Sequence, residues 1–119
     1  MRKFLKGFIY AWRGVTYAFS TQVNFKFHTF SAIIVIAMGY FFSLNINEWI
    51  WISAAIGLVI IAELFNTALE VLVNLVSPNY HPKAGIVKDL ASAAVLLTAI
   101  LSAIIGLCVF IPKILLYAS

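Results

Sequence analysis

Three long, mostly apolar stretches limit what this sequence can fold into. They run from about residue 27 to 44, from 49 to 76 and from 89 to 111. A bilayer core about 30 Å thick is crossed by about 20 apolar residues in helical form, and backbone groups in lipid must be hydrogen-bonded internally. We therefore predict three membrane-associated helices in a single all-α domain covering residues 1–119.

The composition excludes a water-soluble domain. Of the 119 residues, 64% are hydrophobic and 10% are charged, whereas soluble domains carry about 25% charged residues. The single cysteine, Cys108, excludes a disulfide framework and a cysteine-based metal site, and we expect it to be a small hydrophobic residue buried in the membrane. A net charge of +4 without a dense basic run argues against nucleic acid as a partner and favours the negative inner face of a membrane.

The basic residues predict the topology, because positive charge collects on the cytoplasmic side of a membrane. The first connection has no basic residue and Lys113 alone marks the far end, so we expect the N-terminus and the 77–88 loop to face the cytoplasm. The basic residues on the predicted cytoplasmic side are Arg2, Lys3, Lys6, Arg13, Lys26, Lys83 and Lys88. Residues 1–20 have no unbroken apolar core or small-residue cleavage site, and we expect them to be retained.

Residues 1–24 are predicted to form an amphipathic helix on the membrane surface. An apolar stripe and a polar, basic stripe recur at helical spacing, which suits the interface of an anionic leaflet. The apolar stripe is Phe4, Phe8, Trp12, Val15 and Phe19, and the other is Lys3, Lys6, Tyr10, Arg13 and Tyr17. Such a helix could serve as a membrane anchor alone, without a direct role in chemistry.

Small residues repeat every four positions in the third stretch, at Ala94, Thr98, Ser102 and Gly106. This spacing lets helix backbones approach closely in lipid. It favours packing within a bundle or between subunits. Three spans enclose little volume, so we expect an oligomer.

The second stretch carries an unusual polar stripe. Glu63 is followed by Asn66, Glu70 and Asn74 at offsets of three, seven and eleven, which places all four on one helical face. Polar groups inside a membrane helix are costly and usually functional. If Trp49 marks the outer interface, Glu63 lies about 21 Å and Glu70 about 31 Å along the helix. Glu63 would then be within reach of a lipid headgroup and Glu70 within reach of a water-borne ligand.

The loop after the stripe adds His81, Lys88 and Asp89. Each has a purely structural explanation: Asp89 could cap a helix that opens there, Lys88 could be a topology charge, and His81 could bond the loop backbone. Taken together at one depth, however, they suggest a site. Carboxylates with substrate phosphates can hold Mg²⁺, a partly desolvated carboxylate can accept a proton, and a lysine can pair with phosphate. These are the parts for phosphoryl transfer to a lipid hydroxyl, and no Walker-type loop is present.

The block from Glu63 to Val95, ELFNTALEVLVNLVSPNYHPKAGIVKDLASAAV, resembles the small integral-membrane diacylglycerol kinases of bacteria, a family that includes the undecaprenol kinases. The His81-Pro82 pair looks more like the undecaprenol kinase type. The resemblance implies a homotrimer in the inner membrane, with three spans and a surface helix per subunit. It implies transfer of the γ-phosphate of ATP, with Mg²⁺, to a lipid alcohol, either undecaprenol or diacylglycerol.

The resemblance also implies residue roles. Glu63 would be the catalytic base, Asn66 a polar partner and Glu70 a metal ligand. Nucleotide contacts would come from Lys88, Asp89, His81 and Tyr10.

Two positions depart from the family pattern. Gln22 stands where the family usually has a metal-binding glutamate, and Asn74 stands where it usually has an aspartate. An amide oxygen can still ligate Mg²⁺, but it carries no charge. A second hypothesis is therefore a weakened or non-catalytic member that binds lipid or nucleotide. A channel or transporter is less favoured, because the polar stripe stops within one leaflet.

Overall fold

The computed structural model describes residues 1–119, and the chain is helical almost throughout. Its four helices are α1 (Arg2–Thr21), α2 (Val23–Phe41), α3 (Ile46–Val76) and α4 (Pro82–Ala118). Helices α2, α3 and α4 are each long and apolar enough to cross a membrane. The predicted all-α membrane fold, with an N-terminal helix and three spans, is confirmed.

The N-terminal helix α1 ends three residues earlier than the predicted boundary at residue 24. Gln22 adopts extended backbone angles (φ −111°, ψ 114°), and α2 starts at the next residue. Helix α1 packs against α2 and α3 but not against α4. Its side chains Phe4, Phe8 and Trp12 stay largely exposed, as expected for a helix whose apolar face is covered by lipid.

The connection between α2 and α3 is tightly organised. Asn45 Oδ1 accepts a hydrogen bond from the Glu48 backbone N–H at 2.9 Å, and Glu48 Oε1 accepts one from the Asn45 N–H at 2.9 Å. This reciprocal capping box satisfies free donors at the helix start, which explains why α3 begins at Ile46 instead of near residue 49. Lys113 Nζ lies 3.1 Å from Glu48 Oε1 and ties α4 to the same turn.

Helix α4 is longer than the predicted 89–111 segment and corrects it at both ends. It begins at Pro82, because proline suits the first helical position and His81 Nδ1 accepts a hydrogen bond from the Lys83 N–H at 3.1 Å. It also continues through Pro112 to Ala118, and membrane helices tolerate internal proline where neighbouring groups compensate. Asp89 therefore lies two turns inside the helix and does not cap it.

The core of the chain lies between α3 and α4, the most extensively packed pair of helices. Ser102 Oγ donates a hydrogen bond to the Ala55 carbonyl oxygen at 2.8 Å, as expected for a small residue at a close helix contact. Only 13 of 119 residues are buried. Most apolar side chains therefore face outwards, where lipid or other subunits would cover them.

A groove of about 550 Å³ separates α2 from α4, with α3 as its floor. Side chains of the two flanking helices meet near the α2–α3 turn, where the rings of Phe41 on α2 and Tyr117 on α4 lie 5.5 Å apart. The groove extends from there towards Phe27 and His28 in the first turns of α2. Its walls are mostly apolar, with His28 as the ionisable exception.

Candidate active site

The predicted polar stripe lies on α3, and its first part is buried. Glu63 is 1% exposed and Asn66 8% exposed, and Thr67 beside them is also buried. Glu70 is half-buried and Asn74 is exposed. The stripe therefore runs from the interior of the chain to its surface, in the direction of the α3–α4 turn.

Asn66 links the buried part of the stripe to the exposed part. Its Nδ2 donates a hydrogen bond to Glu70 Oε1 at 3.2 Å, a contact between side chains one helical turn apart. Its Oδ1 is buried and has no hydrogen-bond partner. Because buried polar atoms are nearly always paired, this free oxygen indicates a place where a ligand atom or ion could bind.

Glu63 faces a residue that the sequence analysis missed. His28 Nε2, on α2, lies 3.4 Å from Glu63 Oε1, close enough for an ionic contact but outside hydrogen-bond geometry, so Glu63 Oε1 has no hydrogen-bond partner. A signal was present, because ionisable residues in apolar spans usually mark functional positions. Only the fold shows that His28 meets Glu63.

A polar cleft of about 280 Å³ lies beyond the stripe, between the end of α3 and the start of α4. It brings together Asn74, His81, Lys88 and Asp89. Lys88 Nζ donates a hydrogen bond to Asn74 Oδ1 at 2.8 Å. Since Asn74 is uncharged and no salt bridge involves Lys88, the lysine has no ion-pair partner in this cleft, although Asp89 also lines it.

Two predicted site residues lie outside both the polar stripe and this cleft. Tyr10 is exposed on α1, with the Arg13 guanidinium 5.8 Å from its ring centre, and α1 does not contact α4. Gln22 lies at the break between α1 and α2, where its Nε2 is 3.5 Å from Thr21 Oγ1. Within one chain, neither residue joins Lys88 and Asp89.

The oxygen atoms of Glu70 and Asn66 suit a magnesium ion that is also bound by a phosphate ligand. The chain has no group of three or more His, Cys, Asp or Glu side chains that could hold a metal ion alone. Mg²⁺, however, is usually bound through one or two carboxylates together with substrate phosphates and water. The Glu70 carboxylate and the free Asn66 Oδ1 are oxygen donors of this kind.

Comparison with known proteins identifies the family. The sequence model of prokaryotic diacylglycerol kinase matches residues 9–110. The chain belongs to the prokaryotic diacylglycerol kinase family. The matched residues include the whole polar stripe and the cleft, so the predicted resemblance is confirmed.

Individual relatives agree with the diacylglycerol kinase family assignment. The undecaprenol kinase of Bacillus subtilis (strain 168) is 41% identical over 113 residues, which are 95% of this chain and 92% of that protein. The diacylglycerol kinase of Synechocystis is 46% identical over 112 residues, covering 93% of this chain and 64% of the relative. The Escherichia coli (strain K12) diacylglycerol kinase is 27% identical over 109 residues, 92% of this chain and 88% of the relative. The chain is a multi-pass membrane lipid kinase of the diacylglycerol or undecaprenol kinase type.

Proposed function

We propose that this protein transfers the γ-phosphate of ATP to the hydroxyl of a membrane lipid alcohol, undecaprenol or diacylglycerol. The observation that carries the proposal is the continuity of the site. A buried carboxylate, Glu63, and a half-buried one, Glu70, follow one another along α3, and the polar cleft that holds Lys88 of α4 lies beyond them. This order supports a lipid-side role for Glu63 and a nucleotide-side role for Lys88.

Glu63 acts as the general base in this proposal. Its carboxylate accepts the proton of the lipid hydroxyl while the hydroxyl oxygen attacks the γ-phosphorus. The bond between the γ-phosphorus and the bridging oxygen breaks, and ADP leaves. Burial of Glu63 supports this role, because a desolvated carboxylate next to an apolar groove can meet an alcohol that never leaves the membrane.

The remaining residues bind and orient the nucleotide. Lys88 donates hydrogen bonds to phosphate oxygens, while Asp89 and His81 line the same cleft. Glu70 and Asn66 would hold Mg²⁺, which neutralises phosphate charge when bound. Asn66 also keeps Glu70 in place through its amide N–H. Tyr10 near the nucleotide, and Gln22 as a metal ligand, remain predictions.

The proposed setting is the bacterial inner membrane, with the N-terminus and the 77–88 loop in the cytoplasm. The basic residues around these segments support this orientation, which would give the Lys88 cleft access to cytoplasmic ATP. We further propose a homotrimer. The small buried fraction of the chain, 13 of 119 residues, supports further packing between subunits.

The proposal is tested by offering the purified protein two lipid alcohols side by side. The protein in mixed micelles receives γ-labelled ATP, Mg²⁺ and either undecaprenol or diacylglycerol, and labelled lipid is measured. We expect label in at least one lipid, and the ratio of the two kcat/KM values gives the preferred substrate. No label in either lipid, from folded protein with Mg²⁺ present, would exclude the proposed activity.

A further inference from the structure

His28 is the closest ionisable neighbour of the proposed base. Its Nε2 lies 3.4 Å from Glu63 Oε1, and the two side chains are 19% and 1% exposed. No other ion pair involves Glu63, and its Oε1 has no hydrogen-bond partner. No hydrogen bond therefore fixes Oε1 of the proposed base, and His28 is the one side chain in ionic contact with it.

His28 also borders the apolar groove between α2 and α4. It lines that groove near Ser31 and Val59, and its ring packs edge-on against Phe27 with centroids 5.6 Å apart. The imidazole therefore stands between the groove and the Glu63 carboxylate. A lipid hydroxyl that reaches Glu63 from the groove would pass this ring.

We propose that His28 is a positioning residue for Glu63, holding Oε1 through an Nε2–H donor so that the other carboxylate oxygen faces the lipid hydroxyl. The inference rests on the proposed role of Glu63 as base. A separation of 3.4 Å is long for a hydrogen bond, but catalytic hydrogen bonds are often long without substrate and shorten in the reactive complex. A carboxylate fixed at one oxygen presents the other in one direction, which is what proton transfer requires.

Two substitutions separate this role from simple packing. His28→Leu keeps a side chain of moderate size without a donor, whereas His28→Gln keeps an N–H donor. For His28→Leu we expect kcat to fall about 10- to 100-fold, the usual effect of a misplaced catalytic group. The KM for ATP should be unchanged, because His28 does not line the Lys88 cleft. His28→Gln should recover a large part of kcat.

Two further measurements complete the test. The thermal unfolding midpoint in micelles shows whether each variant is folded, and a double-substitution cycle shows whether His28 acts through Glu63. In a Glu63→Gln background, His28→Leu should cause no further loss of residual transfer, because there is no base left to position. If His28→Leu does not fold, His28→Met, which also lacks a donor, takes its place.

The possible outcomes separate this inference from the proposed function. Wild-type kcat in the folded donor-free variant, while Glu63→Gln is inactive, would overturn the role of His28 and leave the lipid kinase proposal intact. Equal losses in His28→Gln and in the donor-free variant would also overturn it, since the donor would then be irrelevant. Full activity in Glu63→Gln would instead refute the proposed base itself.

Discussion

Replacing Asn74 with aspartate is expected to weaken nucleotide binding, although it restores the acid that the family usually has there. Asn74 Oδ1 accepts a 2.8 Å hydrogen bond from Lys88 Nζ. A carboxylate of nearly the same shape would turn this bond into an ion pair. Lys88 would then be partly neutralised by its own neighbour before a phosphate could reach it.

The size of this effect follows from the exposure of the pair. Two unit charges about 2.8 Å apart attract by about 1.5 kcal/mol in bulk water, but side-chain entropy and salt reduce exposed pairs to about 0.2–1 kcal/mol. Asn74 is exposed and Lys88 is half-buried, so the upper part of that range applies. Because about 1.4 kcal/mol corresponds to a factor of ten, we expect the KM for ATP to rise about two- to fivefold.

The assay measures kcat and KM for ATP with saturating lipid and Mg²⁺. Asn79→Asp is the matched control, since it adds the same charge to the same cleft without a contact to Lys88. We expect it to raise KM less than Asn74→Asp does. A lower KM or a higher kcat in Asn74→Asp would refute this reasoning, and would mean that the native amide weakens the site.

Two further predictions concern packing and metal dependence. A methyl group added at Gly39 would overlap the Trp49 indole, so Gly39→Ala should lower stability by about 1–3 kcal/mol, measured by thermal unfolding in micelles. Gly57→Ala meets open space and is the control, where an equal loss would contradict the packing argument. Removing Mg²⁺ with a chelator should abolish phosphate transfer without changing the helix content measured by circular dichroism. Undiminished transfer would exclude the Mg²⁺ complex of ATP as the phosphate donor.

Hydropathy and spacing predicted most of the fold, because crossing a bilayer leaves few options for an apolar chain. Helix ends were predicted less well. The start of α4 depends on the His81 side chain and on Pro82 at the first helical position. This local signal is present in the sequence, although hydropathy alone predicts a start only at residue 89. The start of α3 likewise depends on the Asn45–Glu48 capping box.

The candidate site was predictable only where its residues share one helix. Glu63, Asn66 and Glu70 follow a helical period, so their common face could be inferred from spacing alone. The contact between His28 and Glu63 joins two helices, and the hydrogen bond from Lys88 to Asn74 crosses a turn. Contacts of this kind depend on how the helices pack, which a one-dimensional pattern does not specify.

The central claim is that Glu63 is the base for phosphate transfer to a lipid alcohol. A single-turnover assay with γ-labelled ATP tests it most directly, comparing the native protein with Glu63→Gln, and with Glu48→Gln as the same chemical change at the opposite end of α3. We predict that Glu63→Gln transfers phosphate at least about 100-fold more slowly while nucleotide binding is retained, and that Glu48→Gln transfers at close to the native rate. Native transfer by folded Glu63→Gln would contradict the account.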